Sequence, residues 1–149
     1  MFFSSQLGEN AITISDCIRN TGYRRSEFMI LYHMNIGFPF LSEKSKICID
    51  SKEVVSRNKK FEDEAEKWQE LLAPTEGYEE RVFYHRVRPD SAGKACIELR
   101  NDENPHCSYG LRIRYSTEVL DHFVECLAFC AFSMAQEVCT SDWLLLIFL

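Results

Sequence analysis

The stretch Leu31-Tyr32-His33-Met34-Asn35-Ile36-Gly37-Phe38-Pro39-Phe40-Leu41 decides the fold prediction. It overlaps a run of apolar residues over 28–33, and the scarcity of polar positions there predicts a strand that is buried on both faces. Gly37 and Pro39 end this strand, because proline cannot donate to a central ladder. The stretch therefore predicts a strand inside a β-sheet protein.

His33 and Asn35 are two residues apart, so a strand places both side chains on one face. An imidazole with an ordinary pKa near ~6.5 can donate or accept a proton at neutral pH. His33 and Asn35 are therefore candidates for a polar pocket. The structural alternative is a buried histidine that hydrogen-bonds to backbone.

The rest of the chain also favours β-structure. The apolar spacing of residues 61–72 predicts one short helix, which Pro74 and Gly77 end. The loop over residues 88–93 contains Pro89-Asp90 and predicts a hairpin between its flanking strands. Alternation of apolar and polar residues predicts the strands themselves, at residues 12–18, 46–50, 80–87, 94–99, 111–115 and 120–125. Together these features predict a mainly β protein, an antiparallel β-sandwich with a short helix.

The last part of the chain has a different composition. Residues 115–149 hold five acidic residues and no Lys or Arg. Apolar spacing over 127–138 predicts a helix with little polar surface, and the apolar end 143–149 predicts an exposed apolar patch. We therefore divide the chain into a partial sandwich domain, 1–125, and an atypical apolar tail, 126–149.

Length and charge limit the classes of function. A chain of 149 residues fits one domain, and its net charge of −6 gives no basic field for a nucleic-acid backbone. The longest apolar run, Trp143 to Leu149, is far shorter than the ~20 residues of a membrane-spanning helix. The start, Met1-Phe2-Phe3 followed by polar residues, does not resemble a targeting segment. We expect a cytoplasmic protein that binds neither nucleic acid nor membrane.

The seven cysteines include no CxxC pair, so we expect reduced thiols rather than disulfides. A metal site from His106, Cys107, Cys126 and Cys130 lacks the paired spacing of zinc knuckles, and we predict no metal. No phosphate loop or dinucleotide motif occurs, and we predict no cofactor.

Residues 31–41 resemble the "LYHxNxGxPxL" signature of the aldose 1-epimerase-like family. This family is a divergent branch of the galactose mutarotase-like superfamily, whose members are β-sandwich ("supersandwich") proteins that act on or bind sugars. The resemblance covers about residues 8–125. Flanking stretches fit in order: Gly8-Glu9-Asn10, Gly77-Tyr78-Glu79-Glu80-Arg81-Val82-Phe83-Tyr84-His85, Gly110-Leu111-Arg112-Ile113 and Leu120-Asp121-His122-Phe123.

The resemblance implies interconversion of sugar anomers by acid/base ring opening, without a cofactor. His33 would be the general acid that protonates the ring oxygen. Asn35, Glu80, His85 and Tyr32 would bind the sugar, with Glu80 accepting bonds from hydroxyl groups. For Glu80 and His85 a purely structural role is the alternative.

The chain departs from the family pattern after residue 125. The family continues through a Gly-rich turn into a "YVLGLEP" strand that carries the glutamate base, which has no counterpart here, since Glu137 lies on a predicted helix. A frameshift is one explanation, because the codons for residues 137–143 can be chosen so that another frame recovers Tyr-Val-Leu. The family's chains are also about twice as long. We therefore expect a chain with weak activity or none.

Two other functions remain open. The first is a carbohydrate-binding β-domain without turnover, which uses the same residues. The second is a protein-interaction domain. Self-association through exposed sheet edges or the apolar tail is expected in either case.

Overall fold

The computed structural model describes residues 1–37, 40–103, 109–130 and 142–148. One short helix, a 3₁₀ helix over Lys59–Lys67, occurs in this part of the chain. The described strands are β1 (Phe2–Ser4), β2 (Thr13–Ser15), β3 (His33–Ile36), β4 (Lys46–Ile49), β5 (Ser51–Ser56), β6 (Arg81–Val87), β7 (Lys94–Asn101), β8 (Tyr109–Ser116), β9 (Phe123–Cys130) and β10 (Asp142–Phe148). All their pairings are antiparallel. The predicted mainly β, antiparallel fold is confirmed.

The chain divides into two compact units, Met1–Ile30 and Leu31–Leu149. In the first unit β1 pairs with β2, with Phe2 opposite Ser15 and Ser4 opposite Thr13. The strand predicted over residues 12–18 is therefore shorter than expected.

The second unit contains two sheets. The large sheet has the strand order β3-β10-β9-β6-β5, and the small sheet has the order β4-β7-β8. Buried apolar side chains from both sheets form one cluster, to which Trp68 and Leu71 add. Members of this cluster include Ile47, Ile97 and Leu99 from the small sheet and Phe83, Phe123, Leu127 and Phe129 from the large sheet. The core of the unit is therefore the layer where the two sheets pack together.

The helix is shorter and tighter than the α-helix predicted over residues 61–72. Asn58 caps it by accepting a hydrogen bond from the Lys60 amide, but Phe61 has non-helical dihedral angles of φ −114° and ψ 21°. Trp68 and Leu71 are buried beyond its end. Core packing of these side chains overrides the helical period that the sequence suggests.

The predicted hairpin between β6 and β7 is wrong, because the two strands belong to different sheets. The loop between them carries the chain from the large sheet to the small sheet. Asp90 fixes its turn by accepting bonds from the amides of Ala92 and Lys94, both at 2.9 Å. Gly93 adopts a φ of 70°, a conformation that favours glycine.

The buried strand predicted over residues 28–33 is also wrong. The strand begins only at His33, and Phe28, Met29 and Leu31 are exposed. An apolar run predicts a buried strand only where another layer of structure covers it, and the sequence pattern alone does not show whether one does.

The tail differs from its prediction in the described parts. Residues 127–130 continue β9 rather than forming a helix, because Phe123, Leu127 and Phe129 alternate on the core side. Residues 142–148 form β10, which pairs with β9 on one side and β3 on the other, so they are not a free end. The remainder of the predicted helix, 131–138, lies outside the described residues. The division of the chain after residue 125 stays a prediction, and β9 crosses it.

Candidate functional site

His33 and Asn35 lie on the outward face of β3. Both are exposed, whereas Met34 and Ile36 between and beyond them are half-buried and pack against the core. A strand alternates its side chains between two faces, so the apolar pair fixes the polar pair on the side away from the core. The predicted shared face of His33 and Asn35 is confirmed, but the face is open to solvent instead of lying in a buried strand.

The register of the large sheet places other positions beside these two. His33 of β3 pairs with residue 148 of β10. Residue 148 also pairs with Val124 of β9, and Val124 in turn pairs with Tyr84 of β6. These positions form one row, so His33, Val124 and Tyr84 share the outward face. Three strand spacings separate β3 from β6, which amounts to about 14 Å.

Tyr32 directly precedes β3 and is half-buried. It is next to His33 in the chain, but it lies before the strand begins, so the alternation of β3 does not assign its side chain to the outward face.

Glu80 directly precedes β6, and β9 and β10 lie between β6 and β3 in the large sheet. Its exposed carboxylate accepts a hydrogen bond from Arg57 at 3.3 Å. Burial, together with a hydrogen bond to Glu80, raises the pKa of the Cys126 thiol to about 12, so this thiol stays protonated. The structure thus brings Glu80 together with Arg57 and Cys126, whereas His33 and Asn35 lie on β3, on the far side of β9 and β10.

His85 lies in the core, which argues against the predicted contact with a sugar. Its side chain is fully buried between the rings of Trp68 and Phe123, at centroid distances of 4.9 and 5.8 Å. Its position opposite Phe123 puts it on the core face of β6. A ligand that approaches from solvent does not reach this ring, and the structural alternative considered for His85 fits its position.

His85 is the centre of a buried polar line. Its Nδ1 is 3.0 Å from the hydroxyl of Ser51, and its Nε2 is 3.3 Å from Oε2 of Glu125, which is also fully buried. Burial lowers the pKa of His85 to about 4 and raises the pKa of Glu125 well above its ordinary value. At neutral pH the histidine is therefore neutral, and burial favours the protonated form of the carboxyl group. When the carboxyl group is protonated, it donates to Nε2, and Nδ1 then carries the ring proton and donates it to the Ser51 hydroxyl.

Sequence reasoning missed Glu125 as a buried residue. The signal was present, because Glu125 lies midway between Phe123 and Leu127 and so shares their face in a strand.

A separate cavity of about 280 Å³ opens on the small sheet and is lined by Glu98, Arg100, Gly110, Leu111 and Arg112. Arg112 pairs with Glu98 at 2.6 Å and Arg100 with Asp102 at 3.1 Å, and all four side chains are at least one-third exposed. Exposed ion pairs of this kind are common on protein surfaces and contribute little to the free energy of unfolding. The cavity shares no residue with the outward face of β3.

Within the described residues, no cluster of His, Cys, Asp or Glu has the arrangement of a metal site. Of the four residues considered for zinc, His106 and Cys107 lie outside the described residues, and Cys126 is buried. The described part of the chain also has no helix long and apolar enough to cross a membrane.

Comparison with known proteins gives the family and the fold. A family model matches residues 2–129, and the chain belongs to this family, the domain of unknown function DUF4432. A solved structure from Klebsiella pneumoniae, described as a "putative aldose 1-epimerase", has a similar fold, with a TM-score of 0.66 and 19% sequence identity. The match covers 79% of this chain and 28% of that one, so this chain spans less than a third of the structure it resembles. No curated protein matches the chain.

Proposed function

We propose that the chain is an aldose 1-epimerase-like carbohydrate-active protein that binds a sugar on the outward face of β3. The observation that carries this proposal is the placement of His33 and Asn35 together on that exposed face. The imidazole can donate a proton to the ring oxygen, and the Asn35 amide can both donate to and accept from hydroxyl groups. The fold similarity to an epimerase-like structure supports the same reading.

In the proposed reaction His33 protonates the ring oxygen, the ring opens to the aldehyde, and the ring closes again as the other anomer. A base must take the proton from the anomeric hydroxyl in the same step. Of the carboxylates considered in the sequence, Glu80 lies across the sheet and Glu137 lies outside the described residues. We therefore expect slow turnover from this chain, in which His33 protonates the ring oxygen and a water molecule, in place of a carboxylate, takes the proton from the anomeric hydroxyl.

Polarimetry of a freshly dissolved pure anomer tests this proposal. We expect the chain to accelerate mutarotation slightly and His33→Gln to remove the acceleration, because glutamine keeps polarity but transfers no proton. His122→Gln is the control, since His122 is exposed but directly precedes β9 rather than lying on β3. An acceleration that survives in His33→Gln, or that falls equally in His122→Gln, contradicts the assignment of the acid.

A carbohydrate-binding domain without turnover is the second candidate, and the same exposed face favours it. It predicts saturable sugar binding with no acceleration of mutarotation.

We further propose that the chain binds no nucleic acid and acts in the cytoplasm, and that it self-associates through strand edges. The edges of β3 and β5 lie at the two ends of the strand order of the large sheet.

A further inference from the structure

The side chain of Asn101 joins the small sheet to the turn that follows β3. Asn101 is the last residue of β7 and is 2% exposed. Its Nδ2 donates to the carbonyl oxygen of Phe40 at 3.1 Å and to the hydroxyl of Ser42 at 3.2 Å. These bonds connect residues about sixty positions apart in the chain, so they fix tertiary structure rather than local structure.

The turn itself is also tied together. Ser45 donates its hydroxyl to the same Phe40 carbonyl at 3.1 Å and accepts a bond from the Ser42 amide at 2.9 Å. The Leu41 amide donates to the carbonyl of Gly37 at 2.9 Å, and the Leu41 side chain is fully buried. We call Asn101, Ser42 and Ser45, with the carbonyl of Phe40, the turn clamp.

The turn clamp adds to the pairing with β10 and to the core packing of Met34 and Ile36, which also hold the register of β3. β3 has four residues, and among the described strands it pairs only with β10. A slip of one residue in a strand turns every side chain to the opposite face. Such a slip would move His33 and Asn35 to the core side and bring Met34 and Ile36 to the outside.

We propose that Asn101 is a positioning residue for the outward face of β3. Its buried amide holds the turn after the strand, adds to the constraints on the strand register, and thereby helps to present His33 and Asn35 to solvent together. The structural role of Asn101 does not depend on any ligand, because the clamp is formed by the protein alone. Only its predicted effect on sugar binding rests on the proposed function.

The chemistry of the amide makes the role specific. Phe40 offers a carbonyl oxygen, which can only accept, so the partner must donate. Asn101→Asp has nearly the same shape but presents an acceptor to that carbonyl, which breaks the bond and adds repulsion. Ser42→Ala removes the second acceptor and keeps the bond to Phe40, so it tests the clamp with a milder change.

Amide hydrogen exchange by NMR tests the clamp in the free protein. We expect Asn101→Asp to speed exchange of the Leu41 amide and of the β3 amides by at least about tenfold, the loss expected for a buried hydrogen bond. Ser42→Ala should give a smaller change at the same amides. Ile97→Val is the matched control, because it removes one buried methyl group from the same strand β7 without touching the clamp.

The outcomes separate the clamp from general stability and from the sugar site. Faster exchange confined to β3 and its turn, absent in Ile97→Val, supports the proposal. Unchanged exchange there in both Asn101→Asp and Ser42→Ala, or an equal change throughout the protein, overturns it. If the native chain binds a sugar, Asn101→Asp should weaken binding more than Ile97→Val does. If the native chain binds none, the proposed function fails, and the exchange data still decide the role of Asn101.

Discussion

The Nε2 atom of His85 lies 3.3 Å from Oε2 of Glu125, and both side chains are fully buried between the two sheets. Oε1 of Glu125 has no hydrogen-bond partner among the described residues. An ionised carboxylate with an unpaired oxygen is very costly in such a place, so the pair is most stable when both groups are neutral. Two consequences for the pH dependence of stability follow.

The first concerns Glu125. Because burial raises its pKa in the folded state, the unfolded state ionises first as pH rises above the ordinary value of 4.5. The contribution of Glu125 to the free energy of unfolding should then fall with rising pH, by up to about 1.4 kcal/mol per unit, until the folded carboxyl group also ionises. Glu125→Gln should remove this fall and be more stable than the native chain at neutral pH. Urea unfolding of both proteins at a series of pH values measures the free energy of unfolding and its pH dependence.

The control for Glu125 is Glu118→Gln, which changes an exposed carboxylate. It should leave the pH dependence of unfolding unchanged. A native chain and a Glu125→Gln variant with parallel pH profiles would show that Glu125 is ionised in the folded state.

The second consequence concerns His85. Burial lowers its pKa from 6.5 to about 4, so between these values the unfolded state binds the proton and the folded state does not. The free energy of unfolding contributed by His85 is fully present above pH 6.5 and is lost as pH falls towards about 4. His85→Gln, which keeps polar contacts but does not titrate, should flatten this acid-side loss. An acid-side slope that is equally steep in the variant contradicts the lowered pKa.

A third prediction concerns Arg81, which ties the 3₁₀ helix to β6. Its guanidinium lies 3.7 Å from the ring centre of Phe61 and 4.6 Å from that of Tyr78, and it pairs with Glu64 at 2.8 Å. A lysine cannot stack on both rings and keep this bond, so Arg81→Lys should lower the free energy of unfolding by about 1–2 kcal/mol. Chemical denaturation provides the measurement.

Arg86→Lys is the matched control for Arg81, since Arg86 is exposed and pairs only loosely with Glu53 at 4.0 Å. Its effect should stay within about 0.5 kcal/mol. Equal losses in the two variants would show that the stacking of Arg81 adds no stability.

A fourth prediction separates the candidate sugar residues by position. Asn35 lies beside His33 on β3, whereas Glu80 lies across two strands and is engaged with Arg57. Asn35→Ala should weaken monosaccharide binding about tenfold, the loss of one well-placed hydrogen bond, and Glu80→Ala should leave it unchanged. Titration followed by NMR distinguishes the two. A larger effect at Glu80 than at Asn35 would move the site towards β6.

Sequence reasoning predicted the features that depend on local pattern. The period of two residues located β4, β6, β7 and β8 and placed His33 and Asn35 on one face. It could not show which strands pair, because pairing depends on contacts between residues distant in the chain. The loop around Asp90 therefore looked like a hairpin turn, although it crosses between sheets.

Burial was the other quantity that the sequence did not give. The apolar run over 28–31 indicated a buried strand, while its residues Phe28, Met29 and Leu31 are exposed. His85 was considered as a pocket residue, and both His85 and Glu125 lie in the core. In each case the missing information was whether a second layer of structure covers the residue, which depends on contacts between residues far apart in the chain.

The most direct test of the account follows the imidazole signals of the histidines by NMR while a monosaccharide is added. We predict saturable shifts of the His33 signals at millimolar sugar, which corresponds to about −4 kcal/mol of binding free energy, with unshifted signals from the buried His85. The exposed His122 serves as the surface control. A His33 signal that stays in place at about 100 mM sugar, or that moves only as much as that of His122, would contradict a sugar site on β3.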